Sequence, residues 1–244
     1  MRIFTRMKKI LIISFILLTM LSGIATGQAA LLVLIFGEKA ATENFHFSLK
    51  VGMNYSIING YEEGTNRIGG NFGLINNIKL TEKLSLTPEF LALSGRGIKD
   101  VPVVTTGNPD LDDLLVDPSS TDRKLSYIDI PILLKYKLSP RFSLSAGPQL
   151  SFLTGATDIY KSSPFDEAIL TTELEIKDVL NTVDLAAAID LTYILVEPKN
   201  GKGVNLFLRF TQGFIDIVKD NSGKRLTNTT IQFGGAFPFV EKPN

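Results

Sequence analysis

The sequence predicts an all-β fold: a closed, antiparallel, up-and-down transmembrane β-barrel of about eight strands. Three observations predict it. Successive segments alternate apolar and polar residues with period two, their connections alternate between long and short, and the chain opens on an export leader.

The leader comes first. Arg2, Arg6, Lys8 and Lys9 form a basic segment, the run Ile10 to Leu21 is apolar, and small residues follow at Ala25, Gly27 and Ala29. That order is a secretory signal peptide, cleaved after Gly27 or Ala29, so residues 1–28 are assigned to it. Met7 begins a more ordinary signal than Met1 and is an alternative start. The apolar run is short for a membrane anchor, which needs about 20 residues. Residues 29–44 are read as an N-terminal periplasmic segment, 45–239 as the barrel and 240–244 as a C-terminal tail.

Composition removes several function classes. With no cysteine there is no disulfide framework, no thiolate metal site and no lipid-bearing N-terminal cysteine. Lys plus Arg and Asp plus Glu number 25 each, so the balance of charge points to no nucleic-acid partner.

The clearest strand is Phe45 to Ile57. Phe45, Phe47, Leu49, Val51, Met53, Tyr55 and Ile57 share one face, and His46, Ser48, Lys50, Gly52, Asn54 and Ser56 the other. Seven further segments repeat the pattern. Their apolar faces are carried by Phe72–Leu80, Leu84–Phe90, Ile128–Leu138, Phe142–Phe152, Val183–Tyr193, Val204–Phe210 and Ile231–Phe239. Segments of about ten such residues cross a bilayer at barrel tilt.

The connections read as Asn59–Arg67 long, Thr81–Lys83 short, Gly95–Lys124 long, Ser139–Arg141 short and Gly155–Thr182 long. Val196–Gly203 and Lys219–Arg225 are moderate. Short turns belong on the periplasmic rim and long loops outside. The two short turns lie in an internal echo, Lys79 to Leu86 against Lys137 to Leu144. Apolar continuity requires Leu80 to oppose Leu84 and Leu138 to oppose Phe142, across three-residue turns. Pro88, Pro131 and Pro148 fall inside strands and each forfeits a ladder donor, so a bulge or local gap is expected at each. Ser163-Pro164 before Asp166 and Glu167 reads as the start of a short helix in the loop that follows.

Alternation alone does not say which face looks outward. The polar face is rich in Gly, Ser, Thr and Asn with isolated charges, which suits a narrow lumen and places the apolar face in lipid. The expected location is a bacterial outer membrane.

Tyr127-Ile128-Asp129-Ile130-Pro131-Ile132-Leu133-Leu134-Lys135-Tyr136, followed by Gly147-Pro148-Gln149, resembles the core signature of the PorT-like outer-membrane β-barrel family. Phe47 to Asn54 and Leu86 to Phe90 resemble its first and third strands, and the likeness covers most of Phe45 to Phe239. Such barrels often finish on an aromatic residue, whereas Val240 to Asn244 follow Phe239 here. The resemblance implies an eight-stranded barrel, inserted by the barrel-assembly machinery, with a link to protein secretion.

No catalytic, cofactor or metal site is expected. His46 is the sole histidine and reads as a solvated lumen residue. No HExxH, P-loop or GxGxxG motif occurs. Asp110, Asp112, Asp113 and Asp117 lack the glycine and closing glutamate of a calcium loop and read as a solvated loop. Glu89, Asp129, Lys135 and Arg209 project from the polar face and form the candidate lumen charge cluster. Away from bulk water they are expected to pair, the alternative being that lumen water solvates each one. Glu89 and Arg209 stand on strands that face each other across an eight-stranded ring, and are expected to meet with Lys135 beside them. Bulky inward residues (Leu91, Tyr127, Leu133, Gln149, Phe207) leave little open bore. These features favour a non-enzymatic barrel that binds a protein partner through its outer loops or periplasmic rim. A small passive pore is the alternative, and a membrane-embedded enzyme a distant third.

Overall fold

The computed structural model describes residues 45–102, 119–165, 168–199, 202–219 and 224–239. The stretches expected to be a signal peptide (1–28), a periplasmic segment (29–44) and a C-terminal tail (240–244), and the aspartates Asp110, Asp112, Asp113 and Asp117, lie outside them.

The described residues form nine strands: β1 (Phe45–Asn59), β2 (Thr65–Lys79), β3 (Leu84–Pro102), β4 (Ser119–Lys137), β5 (Phe142–Phe165), β6 (Ala168–Glu175), β7 (Val183–Lys199), β8 (Lys202–Gly213) and β9 (Thr227–Phe239). Eight of them close a ring, β1–β2–β3–β4–β5–β7–β8–β9, in which every neighbour is antiparallel and β9 pairs back onto β1. Closure gives every strand of the ring a hydrogen-bonded neighbour on both sides, the condition for crossing hydrocarbon. Strand β6 stands outside the ring, hydrogen-bonded to the upper part of β5. The start of β1, the end of β9 and both short turns sit at one rim, where Phe45 pairs with Ile78 and Phe47 with Phe239.

The side chains sort as the alternation requires. Val51, Phe72, Phe90, Ile132, Leu144, Leu185, Leu208 and Phe233 point outward and are exposed, while Lys50, Asn54, Gln149 and Gln232 are fully buried inside. A soluble barrel would invert this arrangement. Aromatic residues mark the short-turn edge of the apolar band, where the rings of Phe142 and Tyr193 lie 4.8 Å apart on neighbouring strands and Tyr136 is exposed nearby. At the other edge Lys124 is exposed on β4, so Ser119–Arg123 stand above the band.

The two echoing turns are built alike. Leu80 and Thr81 both donate to Leu84 O, and Leu138 and Ser139 both donate to Phe142 O. In each turn a hydroxyl then accepts from the returning strand: Thr81 Oγ1 from Leu84 N at 3.0 Å, Ser139 Oγ from Phe142 N at 3.1 Å. The prolines leave gaps without slipping the register. Pairing lapses at Thr87–Pro88 on the β2 side, at Glu89–Phe90 against Ile130–Pro131, and at Gly147–Pro148 against Ile132–Leu133.

Four local expectations are corrected. No helix starts at Ser163-Pro164, because β5 runs on to Phe165 and pairs with β6. That pairing satisfies a strand edge which β7 does not cover, since β7 reaches only Phe152. A short 3₁₀ turn follows instead, at Lys177–Val179. The Asn59–Arg67 connection shrinks to residues 60–64, closed by Gly60 and Gly64 at φ of 107° and 122°, which glycine alone adopts at no steric cost. The Val196–Gly203 connection is mostly hairpin, with Lys199 paired to Lys202. The last outer loop is longer than expected, spanning residues 214–226.

Candidate functional site

Two storeys of buried charge cross the lumen. In the first, Arg209 on β8 reaches across the ring to Glu89 on β3, its two terminal nitrogens donating to the two carboxylate oxygens at 2.8 and 2.6 Å. The same guanidinium donates through Nε to Asp190 on β7 at 3.0 Å. Lys50 on β1 completes the square, 3.3 Å from Glu89 and 3.6 Å from Asp190, with its ammonium 4.0 Å from the centre of the Phe207 ring. Gly52 makes room for that ring, since a Cβ there would lie 2.7 Å from Phe207 Cζ. Two cations thus face two anions, the balance that removal from bulk water demands.

The second storey centres on Arg96 of β3. It donates to Asp129 on β4 and to Ser151 Oγ on β5, and lies 3.5 Å from Asp184 on β7. Its guanidinium carbon stands 4.4 Å from the centre of the Tyr127 ring. Asn228 on β9 donates to Asp184 at 3.1 Å, which carries the network round the ring.

Above this storey the barrel ends in an apolar plug. Ile98, Leu125 and Leu153 from the wall meet Ile176, Leu180 and Ile217 from the two loops that follow β6 and β8. Asn181 ties these loops together, its side-chain amide donating to the carbonyls of Asp216 and Val218 at 2.9 and 3.1 Å. Outside the plug, Arg123 grips Asp158 through two nitrogens at 2.8 and 2.7 Å, and Lys161 lies 2.6 Å from Asp122. Burial works to raise the Asp122 carboxyl. The hydrogen bonds from Lys161 and the Asp100 backbone N–H, helped by the charges of Lys161 and Lys99, outweigh it and hold the group below the ordinary carboxylate value.

Below the first storey lies a cup of about 440 Å³ that opens at the short-turn rim. Lys79, Lys83, Lys135 and Lys137 line it, and Lys50 reaches it from the charged square above. His46 stands at the mouth.

The expected cluster is therefore divided. Glu89 and Arg209 are brought together, while Asp129 belongs to the storey above and binds Arg96. Lys135 lines the cup and makes no ion pair among the described residues. The place expected for Lys135 beside Glu89 is taken by Lys50. Lys50 and Asp190 were both visible on polar faces, but nothing in a one-dimensional pattern says which inward charges share a height. Arg96 lay in a segment expected to be loop, because an extra residue, Ala92, bulges β3 between Leu91 and Leu93 and breaks the alternation just before it.

The outer membrane protein beta-barrel domain family matches residues 36–219. The chain belongs to that family. As an outer-membrane barrel it has its short turns on the periplasmic rim, so the cup faces the periplasm and the plug faces outward. Among solved structures it is similar to Ail of Yersinia pestis in complex with the heparin analogue sucrose octasulfate, at 12% identity over 80% of this chain and 99% of that one, with a TM-score of 0.40. It is similar to Neisserial surface protein A at 13% identity, over 79% and 97% of the two chains, with a TM-score of 0.43. The outer membrane protease OmpT from Escherichia coli matches at 12% identity, over 81% and 96%, with a TM-score of 0.32. No curated protein matches the sequence.

Proposed function

We propose that this outer-membrane barrel is a non-enzymatic, non-conducting protein of the PorT-like kind, which binds or scaffolds a protein partner in connection with secretion. The observation that carries the reading is the closed lumen. Two storeys of paired charge and an apolar plug lie in series along a bore that eight strands make only wide enough for side chains. The block Ile130-Pro131-Ile132-Leu133-Leu134-Lys135-Tyr136 supports the PorT-like assignment. The non-enzymatic part rests on the sequence, whose one histidine, His46, stands at the cup mouth and is the one imidazole that a Ser–His–Asp centre could use. Recognition then falls to the loops and the periplasmic rim, which a rigid barrel presents to partners. The test is electrical and biochemical. The purified barrel in a planar bilayer should give no steady conductance, and affinity purification from its own membrane should recover a stoichiometric protein partner. Reproducible channel openings would replace this reading with the passive pore.

A further inference from the structure

The cup is two-faced. On one wall Lys135 sits between Ser85 and Ser145, its register partners on the neighbouring strands β3 and β5. Strand β4 stands opposite β9 in the ring of eight. The wall opposite Lys135 is accordingly formed on β8 and β9, where Phe207, Ala236 and Pro238 present apolar surface to the same cavity.

The charges of the cup do not balance. Its lining holds five lysines and three carboxylates. Glu89 and Asp190 are already engaged by Arg209 and Lys50, which leaves Lys79, Lys83, Lys135 and Lys137 against Glu82 alone. Lys79, Lys83 and Lys137 are exposed at the mouth, where they attract an anion, and half-buried Lys135 lies deeper, flanked by hydroxyls that can donate to the same anion. The volume of about 440 Å³ falls within the range of roughly 300–1,000 Å³ typical of small-molecule pockets.

We propose that the cup is a binding site for a small amphipathic organic anion, a carboxylate on an apolar body, which enters from the periplasm. The carboxylate meets Lys135 Nζ and the hydroxyls of Ser85 and Ser145, and the apolar body rests against Phe207, Ala236 and Pro238. Because the first storey closes the floor, the ligand leaves by the mouth it entered. The proposal therefore rests on the closed-lumen reading and makes the cup a receptor site.

The experiment uses the full-length barrel in nanodiscs with three probes: benzoate, the neutral benzyl alcohol and inorganic phosphate. Calorimetry should show saturable one-to-one binding of benzoate, with benzyl alcohol and phosphate each weaker by at least about tenfold, the scale of one charge-assisted hydrogen bond. Amide resonances of Ser85 and Ser145 should shift with benzoate. Lys135→Met should weaken benzoate by at least about tenfold while Lys161→Met, outside the plug, leaves it unchanged. Absence of saturable benzoate binding by the wild-type barrel overturns the proposal, as does equal binding of benzyl alcohol, tighter binding of phosphate, or unchanged binding by Lys135→Met. The probe comparison on the wild-type barrel decides the matter even if Lys135→Met does not fold. A non-conducting barrel that ignores benzoate would sink this site alone, whereas conductance would sink the closed-lumen reading beneath it.

Discussion

Arg209 and Glu89 meet fork to fork across the full width of the barrel, 120 residues apart in sequence, with nitrogen–oxygen distances of 2.6 and 2.8 Å. Both side chains are nearly inaccessible, so neither can fall back on bulk water if the other is removed. Glu89→Ala and Arg209→Ala should each destabilise the barrel by about 3–5 kcal/mol, because each strands a buried charge. The double variant should cost clearly less than the sum, since it strands neither member of this pair. Urea unfolding in lipid vesicles measures all four corners of the cycle. Additive losses would show that the pair is not coupled.

The turns at Thr81 and Ser139 repeat one hydrogen-bond scheme, so their hydroxyls should carry equal weight. Thr81→Ala and Ser139→Ala should each cost at most about 1 kcal/mol, the two values agreeing closely, because both bonds are exposed to solvent. A large difference between them in the same unfolding assay would mean that the resemblance is one of sequence only.

That repeat is also where the fold was most legible in the sequence. Period-two alternation reports which face a residue takes, and it placed Leu91, Tyr127, Leu133, Gln149, Phe207 and Arg209 inside. It says nothing of height, which depends on the stagger of strands around the ring. For that reason it paired Glu89 with Arg209 but put Lys135 where Lys50 stands. Alternation also fails at a bulge. Ala92 and Thr154 each add a residue to one strand, after which the face reverses, so Arg96 and Asp158 looked like loop residues although they lie on strands. The 163–165 segment misled for another reason: its local signals favoured a helix, but an uncovered edge of β5 needed a partner, and tertiary pairing overrode local preference.

Asn181 holds the plug from outside the barrel wall, so its loss should loosen the plug and spare the strands. Asn181→Ala should make the 214–226 loop more susceptible to protease added to intact cells, with the heat-modifiable mobility of the barrel retained. Leu180→Ala, which empties a fully buried position, should cost about 2–5 kcal/mol if the plug is packed as a core. Unchanged proteolysis in the first variant and unchanged stability in the second would mean that the plug is not a cooperative part of the fold.

The Lys161–Asp122 pair gives the outer strand extensions a pH dependence of definite sign. Asp122 titrates below its unfolded value, so its contribution is present above that unfolded value, near 3.9 for a free aspartate, and fades as pH falls through the folded one. Lys161 is partly solvated and the effect should be small. Protease resistance of the outer strand ends should therefore decline below about pH 4 in the wild type. Asp122→Asn should already be less resistant at pH 7 and show a flatter profile. A wild-type profile that gains resistance on acidification would contradict the sign.

Closure of the lumen is redundant, and that redundancy can be tested by opening it one layer at a time. Removing Glu89 and Arg209 together empties much of the first storey, but Arg96, Asp129 and Tyr127 still fill the second and the Leu180 plug still covers the mouth above. Resistances in series are governed by the tightest layer, so the Glu89→Ala/Arg209→Ala barrel should remain electrically silent in a planar bilayer. Adding Arg96→Ala should still leave the apolar plug, where an ion would have to shed its water among mostly apolar side chains. Only a variant that also carries Leu180→Ala should begin to pass small, steady currents. Conductance in the first double variant would show that the outer storey and plug do not seal the bore, and that the wild-type barrel owes its closure to a single ion-paired layer.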